Sequence, residues 1–227
     1  MDFSKIRPDK KKVLAHAREH LSNLISDAID LDGICSSAPN LETMIENGFI
    51  GGTKFFDKKT TLNMLRAWET LFDLVCNDKF AITKSIACQI HEKASEGEFL
   101  GSGYFRLESL IILGTNFRLP RPESLDELWE KMCIEAENIM DIYEKAIFIF
   151  LEISRNQFFL DLNKRIGKVM MNGILLMHGY PIITIPPEKH KKLNNLMLEF
   201  YVSHNHKDLF NFLTSCTDPK IISELSI

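Results

Sequence analysis

The sequence contains no apolar run long enough to span a membrane. Its densest apolar segment, Ala146 to Leu151, is far short of the roughly 20 residues that a transmembrane helix needs. The first residues, MDFSKIRPDKKK, are polar and basic, and no apolar stretch behind them would serve as a secretory signal. We therefore expect a cytoplasmic protein without a membrane span, while delivery by a secretion system that reads no cleaved signal stays open.

Cysteine pairs and an excess of positive charge are also lacking. The five cysteines show no C-x-x-C spacing, which argues against a zinc site or a disulfide framework and fits buried thiols in a reducing compartment. The formal net charge is −4, so we do not expect nucleic acid as a partner. No Pro/Gly/Ser-rich linker divides the chain, and we interpret it as one domain.

Apolar residues recur at helical spacing along most of the sequence. They predict an amphipathic helix over roughly residues 9–31 and a helix apolar on all sides over Val169 to Met177, which belongs at the centre of a bundle. The period changes only in residues 104–119, where β-branched and aromatic residues flank a Gly-Thr-Asn turn. The predicted fold class is all-α, a bundle of about seven or eight helices with one short β-hairpin.

The segment QFFLDLNKRIGK, residues 157–168, contains the candidate binding residues. If the central helix begins near Asp161, its first turns carry Lys164, Arg165 and Lys168 where the helix dipole is positive. Such a cluster favours an anion such as phosphate, and Asp161 would suit Mg²⁺ that bridges two phosphates. The residues alone leave an alternative open, in which Asp161 caps the helix and pairs with Arg165 while both lysines face water.

In register, this segment resembles the core motif of the Fic (Fido) family of the cell-filamentation type, H-x-F-x-(D/E)-G-N-G-R-x-x-R. The matching residues are Phe159, Asp161, Asn163 and Arg165. The family's His, its two glycines and its last Arg are replaced by Gln157, Leu162, Lys164 and Lys168.

Other segments resemble the family in the same order. Gly103 to Arg106 is similar to the segment ahead of the family's flap, Gly114 to Pro122 to the flap and its exit, and Leu175 to Ile183 to the stretch behind the core helix. The resemblance covers roughly residues 60–215, the Fic core, and leaves 1–59 as an N-terminal helical extension.

The resemblance implies transfer of AMP from ATP to a Ser, Thr or Tyr hydroxyl of a target protein. It places the target along the flap residues Gly114, Thr115, Asn116 and Phe117. It also implies that position 157 takes the hydroxyl proton, that Asp161 holds Mg²⁺, and that the nucleotide is bound by Asn163, Lys164, Arg165 and Lys168. Gln157 has no basic lone pair near neutral pH, so we expect an impaired or altered activity.

Two alternatives to adenylyl transfer stay open. The first is a non-catalytic Fic-fold module that binds a nucleotide or a protein. The second follows from Asn163-Lys164-Arg165, which resembles the N-K-R of death-on-curing toxins and implies a protein kinase variant. A homodimer also stays open as an assembly.

An N-terminal segment resembles the inhibitory motif of the family, (S/T)-x-x-x-E-(G/N). Ser26 stands at its first position and Asp30 at the position of its Glu. In the family that Glu pairs with the last Arg of the core motif, whose position Lys168 occupies here. The alternative is an ordinary helix end whose acidic residues face solvent.

Overall fold

The computed structural model describes residues 3–30, 55–98 and 101–226 of the chain. Its helices in chain order are α1 (Lys10–Glu19), α2 (Leu21–Asp30), α3 (Phe55–Cys76), α4 (Lys84–Ala94), α5 (Leu125–Glu137), α6 (Ile142–Asn156), α7 (Asn163–Met177), α8 (His190–Ser203), α9 (Lys207–Thr214) and α10 (Pro219–Leu225). The predicted all-α class is confirmed. Within the described ranges, no helix is both long and apolar enough to cross a membrane.

Helix α7 lies at the centre of the bundle. It is buried on all sides from Asn163 to Leu176, apart from Lys164, and α1, α2, α3, α4 and α6 all pack against it. Its closest partner is α6, since a Cβ on Gly167 would lie 3.0 Å from the Phe150 carbonyl oxygen. The expectation of a central helix, apolar on all sides, is therefore confirmed.

The N-terminal residues form two helices where the sequence pattern predicted one. His20, with φ −104° and ψ 18°, leaves helical geometry between α1 and α2. The break lets α1 pack on α7 while α2 packs on both α3 and α7. Apolar spacing cannot reveal it, because both helices bury a stripe of the same period.

Residues 104–119 do not form the β-hairpin that we predicted. All of them lie in the described ranges, and they contain no strand and no backbone hydrogen bond between the two halves of the segment. The Arg106 amide instead donates to the Phe158 carbonyl oxygen, 2.9 Å away. Tyr104, Leu107, Ile111 and Leu113 are exposed, whereas Phe105, Ile112 and Phe117 pack against the core. The apolar side chains therefore do not form one buried face that would hold two strands in register.

A tight turn fixes the far end of α7. Gly179 has φ +78°, and a Cβ there would lie 2.8 Å from the Asp9 amide nitrogen. The Asp9 amide donates to the Gly179 carbonyl oxygen at 3.0 Å. Asn172 then holds the chain that leaves the turn, because its side chain accepts from the Ile183 amide (2.8 Å) and donates to the Ile183 carbonyl oxygen (3.0 Å).

Candidate functional site

The loop of residues 157–162 connects α6 to α7 and carries the candidate chemistry. A left-handed residue bounds it at each end: Gln157 with φ 50° and Leu162 with φ 62°. Between them the side chains of Phe158 and Phe159 are completely buried. These two aromatic side chains fix the loop against the bundle. The polar groups of the loop then lie at the N-terminus of α7.

His91, on α4, packs against the same loop. Its ring stacks on Phe159 with centroids 4.1 Å apart, and its Nδ1 accepts a hydrogen bond from the Gly103 amide at 2.9 Å. Burial lowers the pKa of His91 to about 4, and a hydrogen bond with the Asp161 backbone only partly opposes that shift. His91 is therefore neutral at physiological pH and positions the loop; it cannot replace a missing base.

Gln157 occupies the position where the family motif has His, and its amide is held at both ends. Its Nε2 donates to the Ser154 carbonyl oxygen at 2.6 Å, and its Oε1 accepts from Asn163 Nδ2 at 2.9 Å. Asn163 also closes the loop, since it accepts from the Phe159 amide and donates to the Phe159 carbonyl oxygen, each at 2.8 Å. The two carboxamides thus hold the loop between its two left-handed residues.

Leu162 stands at the first glycine position of the motif and retains glycine-like backbone geometry. The left-handed conformation costs a residue with a Cβ roughly 1–2 kcal/mol. Its side chain is only 3% exposed, and burial of a leucine is worth about 1.5–3 kcal/mol. Hydrophobic burial therefore offsets the backbone strain at this position.

The first turn of α7 carries Lys164 and Arg165, with Asp161 just ahead of it. Asp161 is exposed, and its Oδ1 accepts from the Leu162 amide at 2.7 Å. Leu162, at the N-cap, has no polar group that could cap the helix, so the N-terminal dipole charge keeps its attraction for an anion. An exposed carboxylate ahead of a helix N-terminus with two cations has the chemistry with which Mg²⁺ is held by one carboxylate plus phosphate oxygens.

Lys168 is directed toward α2, and its predicted role in nucleotide binding stays a prediction. It is 2% exposed and forms a hydrogen-bonded ion pair with Asp27 of α2. His190 Nε2 lies 3.0 Å from the same Asp27 oxygen, and the Ile185 amide donates to the other oxygen at 3.0 Å. Burial alone would raise the pKa of Asp27, but the Lys168 charge and these hydrogen bonds hold it below its ordinary value.

The predicted inhibitory residues also differ from the observed contact. The carboxylate that α2 delivers to Lys168 is that of Asp27, three residues before Asp30. Ser26 is buried next to it in α2, and the side chain of Asp30 lies outside the described part of the chain. The structure therefore pairs α2 with the last cationic position of the motif through Asp27, and the inhibitory role of Ser26 and Asp30 stays a prediction.

Arg106 is a positioning residue whose role the sequence pattern did not specify. It is 3% exposed, and its guanidinium donates to the carbonyl oxygens of Gln157 (2.6 Å), Glu108 (2.8 Å) and Pro120 (2.8 Å). One planar fork thus ties the loop 157–162 to Glu108 and Pro120, on either side of the flap turn. Its place in the segment Gly103 to Arg106 was the available signal, since a lone arginine among apolar residues is rarely buried without acceptors.

The flap residues lie over α6 and α8. Phe117 stacks on the Arg155 guanidinium, 4.2 Å from the ring centroid. A Cβ on Gly114 would lie 3.5 Å from a methyl group of Leu198, so the flap turn approaches α8 closely. Gly114 and Asn116 are exposed, whereas Thr115 and Phe117 are half-buried.

A family model supports the resemblance that the motif suggested. Residues 81–175 match the model of the Fic/DOC family. That range includes the flap, the loop 157–162 and most of α7, and it excludes Asp27. No curated protein matches the sequence.

Solved structures of Fic proteins share the fold. Fic-1 (residues 134–508) from C. elegans gives a TM-score of 0.79 at 16% identity, over 94% of this chain and 64% of that one. A Fic-domain-containing signalling protein from Bacteroides thetaiotaomicron VPI-5482 gives 0.76 at 16% identity, over 94% and 88%. A Fic family protein from Desulfovibrio desulfuricans G20 gives 0.72 at 12% identity, over 96% and 73%. These likenesses establish the fold, and the present chain spans less than two thirds of the C. elegans chain.

Proposed function

We propose that this protein binds a nucleotide at the N-terminus of α7 and transfers AMP poorly, because residues 81–175 match the Fic/DOC family model and the chain has the Fic fold. The acceptor would be a hydroxyl of a target protein beside the flap. The observation that carries the proposal is the state of Gln157, whose amide is committed to Ser154 and Asn163 at the position of the family's base.

The consequence for chemistry follows from proton transfer. A carboxamide cannot take the hydroxyl proton near neutral pH, and general-base assistance is typically worth about 10²–10⁴-fold in rate. Phosphoryl-type transfer depends otherwise on positioning and charge. Slow residual transfer is therefore expected, in place of the rate that a motif with His would give.

The phosphate groups would be held by Arg165 and Lys164 together with the N-terminal end of α7. Asn163 would act through the loop backbone, since its side chain bonds Phe159 and Gln157. Asp161 would hold Mg²⁺, which when bound neutralises phosphate charge. Lys168 is left out of this set, because Asp27 already compensates its charge in the interior.

A binding experiment tests the nucleotide half of the proposal. ATP is titrated calorimetrically into the protein with and without Mg²⁺, and the same is done for Arg165→Ala and Lys164→Ala. We expect saturable binding that Mg²⁺ strengthens and that both variants weaken, whereas Lys131→Ala, an exposed cation on α5, leaves it unchanged. Absence of binding by ATP, CTP, GTP and UTP at millimolar concentrations would contradict the proposal.

A second candidate function is a non-catalytic protein-binding module. It is favoured by a row of large apolar side chains that are more than 70% exposed on the flap segment: Tyr104, Leu107, Ile111 and Leu113. Several large exposed apolar side chains in one short segment favour a site of protein interaction. The nucleotide titration separates the two candidates, because a module that binds only a protein partner gives no binding heat with any nucleotide.

A further inference from the structure

The end of α1 gathers three metal-ligating side chains outside the site described above. His16, Glu19 and His20 each offer one ligand atom, and these atoms all lie within 4.8 Å of one another. The spacing i, i+3, i+4 brings the three residues to one face of the helix. Glu19 is exposed and the two histidines are half-buried, so the cluster opens to solvent.

A hydrogen bond orients the ring of His20, and a carboxylate lies near the ring of His16. His20 Nδ1 lies 2.9 Å from the His16 carbonyl oxygen, so it carries the proton and leaves the Nε2 lone pair for a cation. His16 Nε2 lies 3.6 Å from Asp218 Oδ2. Asp218 is itself fixed, because its other oxygen accepts from the Lys220 amide at 2.8 Å as the N-cap of α10.

The local charges suit a divalent cation. The two rings stand 4.2 Å apart. The carboxylates of Glu19 and Asp218 supply negative charge beside them.

We propose that His16, Glu19 and His20 bind a divalent cation of the zinc class, with Asp218 as the carboxylate that orients His16. Two imidazoles and a carboxylate match the ligands of Zn²⁺, whose bonds of about 2.0–2.2 Å place ligand atoms roughly 3.3 Å apart. Small side-chain rotations bring the three atoms to that separation. Mg²⁺ prefers oxygen ligands and is not expected to bind.

A metal at this site would stabilise the junction between α1 and α2. His20 lies at the break between α1 and α2, and α2 carries Asp27 to Lys168. A metal that joins His16 to His20 fixes the break, and Asp218 links it to α10. The proposal does not depend on nucleotide binding.

The test is a calorimetric titration of the reduced, tag-free protein with ZnCl₂, and with MgCl₂ as the control cation. We expect saturable zinc binding with one ion per chain and no heat from magnesium. The variant His16→Ala/His20→Ala should lose at least about 100-fold in affinity, and Asp218→Asn, which keeps the N-cap, about 10-fold. The matched control His204→Ala/His206→Ala should bind as the parent does.

A second measurement uses the unmodified sequence, in case a variant fails to fold. Zinc should protect His16 and His20, and no other histidine, from diethylpyrocarbonate in a mass-spectrometric map. The Co²⁺-loaded protein should lack a thiolate charge-transfer band, since no cysteine is a ligand. Zinc binding only in the millimolar range, equal affinity in the His16→Ala/His20→Ala variant, or a thiolate band would overturn the proposal.

Discussion

Breaking the buried Asp27–Lys168 pair should destabilise the protein more than any loss of a surface pair. Both side chains are nearly inaccessible, at 4% and 3% exposure. Asp27→Asn removes the negative charge and leaves a buried lysine without compensation, which typically costs about 3–5 kcal/mol. For a chain of this size that loss lowers the melting temperature by roughly 10 °C.

The assay is urea unfolding followed by circular dichroism, and the control is the surface pair Lys84–Asp126, whose side chains are 45% and 70% exposed. Asp126→Asn should cost at most about 1 kcal/mol. The double variant Asp27→Leu/Lys168→Met should recover part of the stability lost in Asp27→Asn, because it leaves no unpaired lysine charge, while the Ile185 amide loses its acceptor. A cost of Asp27→Asn no larger than that of Asp126→Asn would refute the buried-pair reasoning.

Three further predictions follow from named contacts. In urea unfolding, the free energy of unfolding of Leu162→Gly should exceed that of Leu162→Ala by about 1 kcal/mol, because both variants lose the buried side chain and only glycine adopts φ 62° without strain. The opposite order of the two variants would contradict the strain at this position. Arg106→Lys should cost about 2 kcal/mol or more and speed hydrogen exchange around Pro120, since an ammonium cannot bond three carbonyl oxygens as the fork does; unchanged exchange would deny it the positioning role. Stability should fall as the pH drops below about 4, where Asp27 becomes protonated in the unfolded chain before the folded one; Asp27→Asn should flatten that part of the profile, and an unaltered slope would count against the assignment.

The central helix and the loop ahead of it were predictable from the sequence, and the partners of its cations were not. Uninterrupted apolar character over Val169 to Met177 leaves a helix no solvent-facing side, so its central position follows. The motif register located Asp161 and Arg165 correctly at its start. Lys168 looks identical to Lys164 in the sequence, although one is buried and paired while the other is partly exposed.

Long-range contacts account for the remaining differences. Asp27 lies 141 residues before Lys168, and no local pattern distinguishes it from Asp30 as the partner. The predicted hairpin over residues 104–119 rested on β-branched and aromatic content, which measures fitness for a half-buried sheet surface. Here the apolar side chains are divided between the core and solvent, and Arg106 ties the segment to the loop 157–162, so the same residues form a loop.

The most direct test of the central claim is transfer of labelled AMP by the parent protein and by variants at the loop. Gln157→His restores a base at a position whose left-handed backbone histidine tolerates. The triple variant Gln157→His/Leu162→Gly/Lys164→Gly also restores both glycine positions. We expect little self-modification by the parent and a gain of about 10²-fold or more in one of the variants. Vigorous transfer by the unmodified protein, abolished by Arg165→Ala, would contradict the claim that Gln157 leaves the site without a base.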